Sequence, residues 1–147
     1  MTQPPTVRAL TPADLPAAQE LLRQLGYPVN AQELETRLCA LQPDPARLLL
    51  VAEREGSVIA LAEACLRLEL ANPPMAELLS LVVDENVRGS GAGVHLLRAV
   101  EQWAAERGCS AVTLGSRVER AGAHRFYERE GYLLEKVWHI YRRGLES

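Results

Sequence analysis

The sequence predicts a mixed α/β fold, one layer of sheet with helices on both faces, and three observations carry that expectation. Blocks rich in Leu, Val and Ala alternate between short strand-like runs and stretches whose apolar residues recur at helical spacing. The helical blocks are bracketed by start and stop residues. Late in the chain, an apolar strand runs through a glycine-rich loop directly into an amphipathic helix.

Thr6 to Leu10 reads as the first strand. Thr11 then stands as an N-cap, with Pro12 at the first helical position and Asp14 where a capping partner sits. Leu15, Ala18, Leu22 and Leu25 form one apolar stripe, and Gly26 ends that helix. Asn30 caps a second helix with Glu33 at the capping-box position; its stripe is Leu34, Leu38 and Leu41, and Pro43 and Pro45 stop it. Arg47 to Arg54 is a strand, Glu55-Gly56-Ser57 a turn, and Val58 to Glu69 the returning strand. Asn72-Pro73-Pro74 breaks the chain before a strand from Ala76 to Asp84, apolar on both faces at its end as a strand covered on both sides is. The helix from Ala92 to Arg107 buries Leu96, Leu97, Val100, Trp103 and Ala104, and Gly108 closes it. A short strand from Ala111 to Leu114 and a helix from Arg120 to Glu130, closed by Gly131, come next. Tyr132 to Leu134 and Val137 to Arg142 are expected as final strands, which makes the order β-α-α-β-β-β-α-β-α-β-β.

Composition narrows the function classes. The 147 residues suit a single domain spanning 1–147. A formal charge of −3 argues against a nucleic-acid partner, which calls for a basic excess. No apolar run approaches the roughly 20 residues of a membrane span, and the start MTQPPTVRAL lacks the basic-then-apolar pattern of a signal peptide. Cys39, Cys65 and Cys109 are odd in number, widely spaced and form no CxxC pair, so neither a metal site nor a disulfide framework is expected. These features together give a reduced, cytoplasmic protein without membrane contact.

The stretch with most chemical content runs Leu81-Val82-Val83-Asp84-Glu85-Asn86-Val87-Arg88-Gly89-Ser90-Gly91-Ala92-Gly93. Alternate glycines let the backbone turn tightly and aim successive N–H groups at one point. The helix that follows adds unpaired N–H groups and the positive end of its dipole. Arg88 and Ser90 add a cation and a hydroxyl, and the whole reads as a pyrophosphate cradle. A P-loop would need Gly-Lys-Ser/Thr, and no lysine is near. A dinucleotide fingerprint is GxGxxG in an early βα unit with a later acid, whereas this loop is GxGxG, lies late, and is followed by a strand ending in Leu114-Gly115.

What remains is Arg-x-x-Gly-x-Gly, carried by Arg88, Gly91 and Gly93, together with a second block, Ala123-His124-Arg125-Phe126-Tyr127-Glu128-Arg129-Glu130-Gly131-Tyr132. In these two blocks, their spacing and the element order, the sequence resembles the GNAT superfamily, the GCN5-related N-acetyltransferases, over nearly its full length. The resemblance implies an enzyme that binds acetyl-CoA as co-substrate, without metal, and passes the acetyl group directly to an amine. Leu81, Val82 and Val83 match the strand whose backbone binds pantetheine, and a backbone N–H near Val83 would polarise the thioester carbonyl. Arg88, Gly89, Ser90, Gly91, Ala92, Gly93 and Val94 match the pyrophosphate contacts.

The resemblance also implies roles for side chains. Tyr127 matches the tyrosine that lies beside the CoA sulfur and supplies a proton or hydrogen bond to the leaving thiolate. A primary amine is mostly protonated at neutral pH, so a base is also needed. One frequent base position falls on Gly115, which removes that candidate. Another, four residues before the pantetheine-binding triplet, is Glu77, with a water chain as its competitor. An unbroken strand puts Glu77 on the face of Leu79 and Leu81; a β-bulge would change that register. His124, one turn before Tyr127, and Arg120 read as structural or phosphate-side residues, and the cysteines as small apolar packing. The alternative to the enzyme is a degenerate acyl-CoA-binding sensor of the same fold. Family members are often homodimers through their C-terminal strands, and Tyr132, Trp138 and Tyr141 either pack in such an interface or close the core.

Overall fold

The sheet follows from the hairpin and capping chemistry of the sequence. In the computed structural model, which describes residues 3–146, the chain divides into two units, one ending at Gly115 and one starting at Ser116. The first holds strands β1 (Thr6–Ala9), β2 (Arg47–Arg54), β3 (Ser57–Arg67), β4 (Met75–Val83) and β5 (Val112–Leu114), with helices α1 (Leu15–Leu25), α2 (Ala31–Leu41) and α3 (Ala92–Glu106). The strands lie in the order β1-β2-β3-β4-β5. The first four pair antiparallel, and β5 returns parallel to β4 after the α3 crossover.

Local signals set most boundaries. Asn30 caps α2 reciprocally with Glu33, the Glu33 N–H donating to Asn30 Oδ1 at 2.8 Å and the Asn30 N–H to Glu33 Oε1 at 3.1 Å. Gly26 closes α1 at a φ of 102°. The β2–β3 hairpin turns on two residues, Glu55 and Gly56, both at positive φ as a tight hairpin demands. One boundary moved. Thr11 and Pro12 start a 3-10 turn over Pro12–Asp14, and α1 begins only at Leu15. Asp14 accepts hydrogen bonds from both the backbone N–H and the Oγ1 of Thr11, and that bond set favours the tighter turn over a regular helical start.

Strand alternation sorts the core into two faces. Val51, Leu61 and Val82 pack with Ala18, Leu21 and Leu38 of the first two helices. The alternate positions Leu50, Ala60, Ala62, Ala64, Ala76 and Leu78 are buried on the opposite face, where their small side chains admit α3, which touches β1 through β4. Leu96, Leu97 and Val100 of α3 are completely buried, each contributing about 2 kcal/mol of apolar transfer. Trp103, expected in this core, is only half-buried and lies beneath the Arg107 guanidinium.

The second unit contains α4 (Ala121–Arg129). Tyr132 to Leu134 and Val137 to Arg142, expected as strands, are not strands: no strand follows α4 among the described residues. Their alternating apolar composition suits a pleated surface only when a neighbouring strand accepts the backbone hydrogen bonds. Without that ladder, Leu133, Leu134, Val137, Trp138, Ile140 and Tyr141 stay exposed.

Candidate active site

The site in the first unit begins with a mismatch between two strands. β5 pairs with β4 at three positions only, Ala76 with Val112, Glu77 with Thr113 and Leu78 with Leu114. Beyond Leu78, no strand pairs with that side of β4 among the described residues. The stretch from Leu79 to Val83 therefore presents its outward backbone groups unpaired, in the manner of a sheet edge. At the same point β4 is bulged. Glu63 of β3 opposes Ser80 while Ala64 opposes Leu78, so Leu79 is the extra residue and is exposed. A bulge increases twist and turns one strand away from its neighbour, and β5 pairs with β4 no further than Leu78. Leu81, Val82 and Val83 all lie on this free edge.

The bulge settles the register of Glu77. Counting through Leu79, Glu77 shares a face with Ser80 and Val82, not with Leu81. This corrects the register of an unbroken strand. Glu77 stands across from Cys65 on one side and Thr113 on the other, and it is half-buried.

The free edge leads into the glycine loop. Asp84 caps a 3-10 turn over Glu85–Val87, its carboxylate accepting from the Asn86 N–H at 3.1 Å. Gln24 of α1 clasps this turn from outside: it accepts from the Glu85 N–H at 2.9 Å and donates to Asp84 at 3.3 Å. Sequence reasoning passed over Gln24, because nothing in a helix stripe marks a polar residue that reaches a loop sixty positions later. Gly89 and Gly91 take φ of +86° and +84°, a region that favours glycine, and a Cβ at Gly89 would meet nothing within 4 Å. Gly91 is the N-cap of α3. His95 donates from Nδ1 to the Gly91 carbonyl at 2.7 Å, and Ser90 Oγ accepts from the Ala92 N–H at 3.3 Å. The amides of Gly93 and Val94 lie in the first helical turn, where the helix supplies no acceptor. Arg88 is exposed beside the loop. An open strand edge, an uncrowded glycine turn and a helix N-terminus in succession fit a long, linear ligand ending in a diphosphate.

One residue of this region has a clear signal that the sequence reading did not use. Glu63 is a charge at an inward position of the apolar run Val58-Ile59-Ala60-Leu61-Ala62. It opposes Leu49 on β2 and Ser80 on β4. Burial pushes its carboxyl above the ordinary value of 4.5, and Arg47 partly offsets that. The contact with Arg47 is 3.7 Å, longer than a hydrogen bond.

In the second unit, α4 carries Tyr127 in an aromatic group with Phe126 and Tyr132, whose rings stand edge-on to it at 5.2 and 5.8 Å. Burial holds the Tyr127 phenol above its ordinary value of 10, with Arg120 pulling the other way, so the phenol keeps its proton at neutral pH. His124 donates from Nε2 to the Arg117 carbonyl at 2.8 Å and so ties α4 to the turn before it. No cluster of metal-ligating side chains occurs among the described residues, and no helix there is long and apolar enough to cross a membrane. Gly115, at the end of β5, supplies no side chain.

The model of the acetyltransferase (GNAT) family matches residues 15–132 and so draws on both units. The chain is 32% identical over 133 residues to an aminoglycoside N(6')-acetyltransferase type 1 of Stenotrophomonas maltophilia, covering 87% of this chain and 86% of that protein. It is 33% identical over 90 residues to an aminoalkylphosphonate N-acetyltransferase of Salmonella typhimurium, covering 60% of this chain and 58% of that one. Among solved structures, an aminoglycoside N-acetyltransferase in complex with CoA superposes with a TM-score of 0.87 at 18% identity, covering 97% of this chain and 96% of the other. The chain belongs to the GNAT acetyltransferase family and is an acetyl-CoA-dependent acetyltransferase.

Proposed function

We propose that the protein transfers the acetyl group of acetyl-CoA directly to the primary amine of a small, cationic acceptor of the amino-sugar or aminoalkyl class. The observation that carries this reading is the free β4 edge from Leu79 to Val83 running into the Gly89–Gly93 loop and α3. Bound acetyl-CoA supplies the activated thioester. Backbone groups of Leu81, Val82 and Val83 hold the pantetheine arm, and an N–H near Val83 hydrogen-bonds the thioester carbonyl as charge develops there. Arg88 and the amides from Gly89 to Val94 hold the diphosphate. Tyr127 gives its proton to the sulfur as the carbon–sulfur bond breaks; its protonated, half-buried phenol supports that role. The proton of the attacking amine leaves to a carboxylate on the sheet face that carries Glu77. The relatives' names support a small-molecule amine, and the acidic residues Glu63 and Glu77 on one face support a cationic one.

This reading includes a cytoplasmic homodimer. The three cysteines are free, as suits a reducing compartment, and the exposed apolar side chains after α4 supply a surface for a second copy. The deciding experiment is chromatographic detection of CoA release from acetyl-CoA against a panel of aminoglycosides, aminoalkylphosphonates and simple amines. Amine-dependent release establishes the function and the acceptor class. Acetyl-CoA binding without release across the panel supports the sensor alternative instead, and no binding at all overturns the site.

A further inference from the structure

We infer that Glu63, on β3, is the group that takes the proton from the attacking amine. The inference rests on the acyl-transfer reading above and adds to it a residue that the family motifs do not mark. Three observations carry it. Glu63 is directly opposite Ser80, the first residue after the bulge, so its Cα stands about 5 Å, one strand spacing, from β4, whose far side is the free edge. It projects from the face shared with Leu61 and Val82, whereas the glycine loop leads into α3 on the other face. An acceptor therefore meets the thioester from the Glu63 side without crossing the path of the CoA arm. Finally, the carboxyl is enclosed but not consumed: its side chain is 26% exposed and its ionic partner Arg47 sits at 3.7 Å.

The charged and titratable groups around it are few. β2 contributes Arg47, which also reaches Asp44 at 4.0 Å. β3 itself contributes Cys65, and β4 contributes Glu77 opposite Cys65. The packed helices contribute Leu34 and Leu38 to the core that includes Leu49, the cross-strand partner of Glu63. Burial against that core raises the Glu63 carboxyl above the ordinary range, which makes it a stronger base than an exposed glutamate. In the step, the amine nitrogen bonds to the acetyl carbon and its surplus proton passes to the Glu63 carboxylate. The carbon–sulfur bond breaks and the thiolate takes the Tyr127 proton. Glu63 then releases its proton to solvent and Tyr127 recovers one, so the net reaction is amine plus thioester to amide plus thiol.

The test compares pH profiles of kcat/KM for the wild type, Glu63→Gln, Glu63→Asp and Glu77→Gln with the best acceptor of the panel. The expected wild-type profile has an acidic limb above the ordinary carboxylate range. Glu63→Gln loses that limb and about 100-fold or more in kcat, with acetyl-CoA affinity and thermal unfolding kept. Glu63→Asp keeps the limb at reduced rate, and Glu77→Gln keeps it at raised KM. An unchanged limb in Glu63→Gln, or a limb lost only in Glu77→Gln, overturns the inference. Carbon-13 NMR titration of labelled glutamates, with Glu63→Gln as the assignment, reads the same group without any acceptor. A Glu63 midpoint in the ordinary range overturns the inference even if the enzyme acetylates amines. Failure of the wild type to acetylate any amine overturns the functional reading and takes this inference with it, whereas loss of Glu63 alone leaves that reading standing.

Discussion

Asp14 is the most buried charged residue, 6% exposed, and its surroundings explain how it stays ionised. Arg8 grips it with two hydrogen bonds, Nη1 to Oδ2 at 2.7 Å and Nη2 to Oδ1 at 2.8 Å, and pairs with Glu53 from its other side. That clamp, helped by Thr11, lowers the Asp14 carboxyl from its ordinary 3.8 to about 2. A carboxyl lowered on folding stabilises the fold at pH values above its unfolded value and loses that contribution as pH falls toward its folded one. Asp14→Asn is expected to cost roughly 1–2 kcal/mol at pH 7. Urea denaturation checks it: the gap between the variant and the wild type stays constant above about pH 5 and closes as pH falls from about 4 toward 2. At the same scale, Tyr127→Phe removes only a hydroxyl from an aromatic cluster that packs through its rings. It is expected to leave acetyl-CoA binding intact by calorimetry while turnover drops by about 100-fold. Unchanged turnover would remove Tyr127 from the mechanism.

Two loops with the same backbone requirement separate binding from folding. Gly56 in the β2–β3 turn and Gly91 at the head of α3 both hold positive φ, +81° and +84°. A side chain at either costs about 1–2 kcal/mol of backbone strain. At Gly91 an added Cβ would meet His95 only at ordinary contact distance, 3.6 Å, so conformation and not space is the constraint. Gly91→Val is therefore expected to raise the acetyl-CoA Kd about tenfold, because relief of the strain re-aims the amides of the loop. Gly56→Ala should lower thermal stability by a similar free energy and leave Kd unchanged. Equal effects of both variants on Kd would show that the loop conformation does not matter for the ligand. The β4 element has a second lesson. Its sequence, Met75 to Val83, alternates poorly because a bulge at Leu79 resets the register in the middle. The strand was readable from its apolar run, but which face Glu77 takes depended on one unpaired residue.

At the scale of the whole molecule, the C-terminal arm is an exposed apolar surface. Leu133, Leu134, Val137, Trp138, Ile140 and Tyr141 are each more than half exposed. Two of them, Trp138 and Tyr141, are aromatic side chains of a kind that bury on the order of 150 Å² or more each, a substantial share of the roughly 800 Å² per partner of a standard interface. Sedimentation equilibrium is expected to give twice the chain mass. Replacing Trp138 and Ile140 with Ser should shift the population to monomer, and a wild type that sediments as a monomer at all concentrations would exclude the homodimer.

The sequence by itself determined the mixed α/β class, the order of the elements from β1 to α4 and the glycine loop. It also determined the family, because caps, turn glycines and strand runs are local signals whose physics does not depend on distant partners. The family motifs that contain Arg88, Gly91, Gly93 and Tyr127 were legible for the same reason: their spacing carries the resemblance. Pairing across strands was not legible. The bulge at Leu79, the three-residue reach of β5 and the missing ladder for Tyr132 to Arg142 are properties of neighbours, not of the segments themselves. Only the tertiary structure decided that Glu77 turns away from the face of Leu81, that Gln24 clasps the loop, and that Glu63 stands half-buried one strand from the open edge. A carboxyl acquires its chemistry from the surfaces that desolvate it and the charges that face it, and those come from residues far apart in the chain.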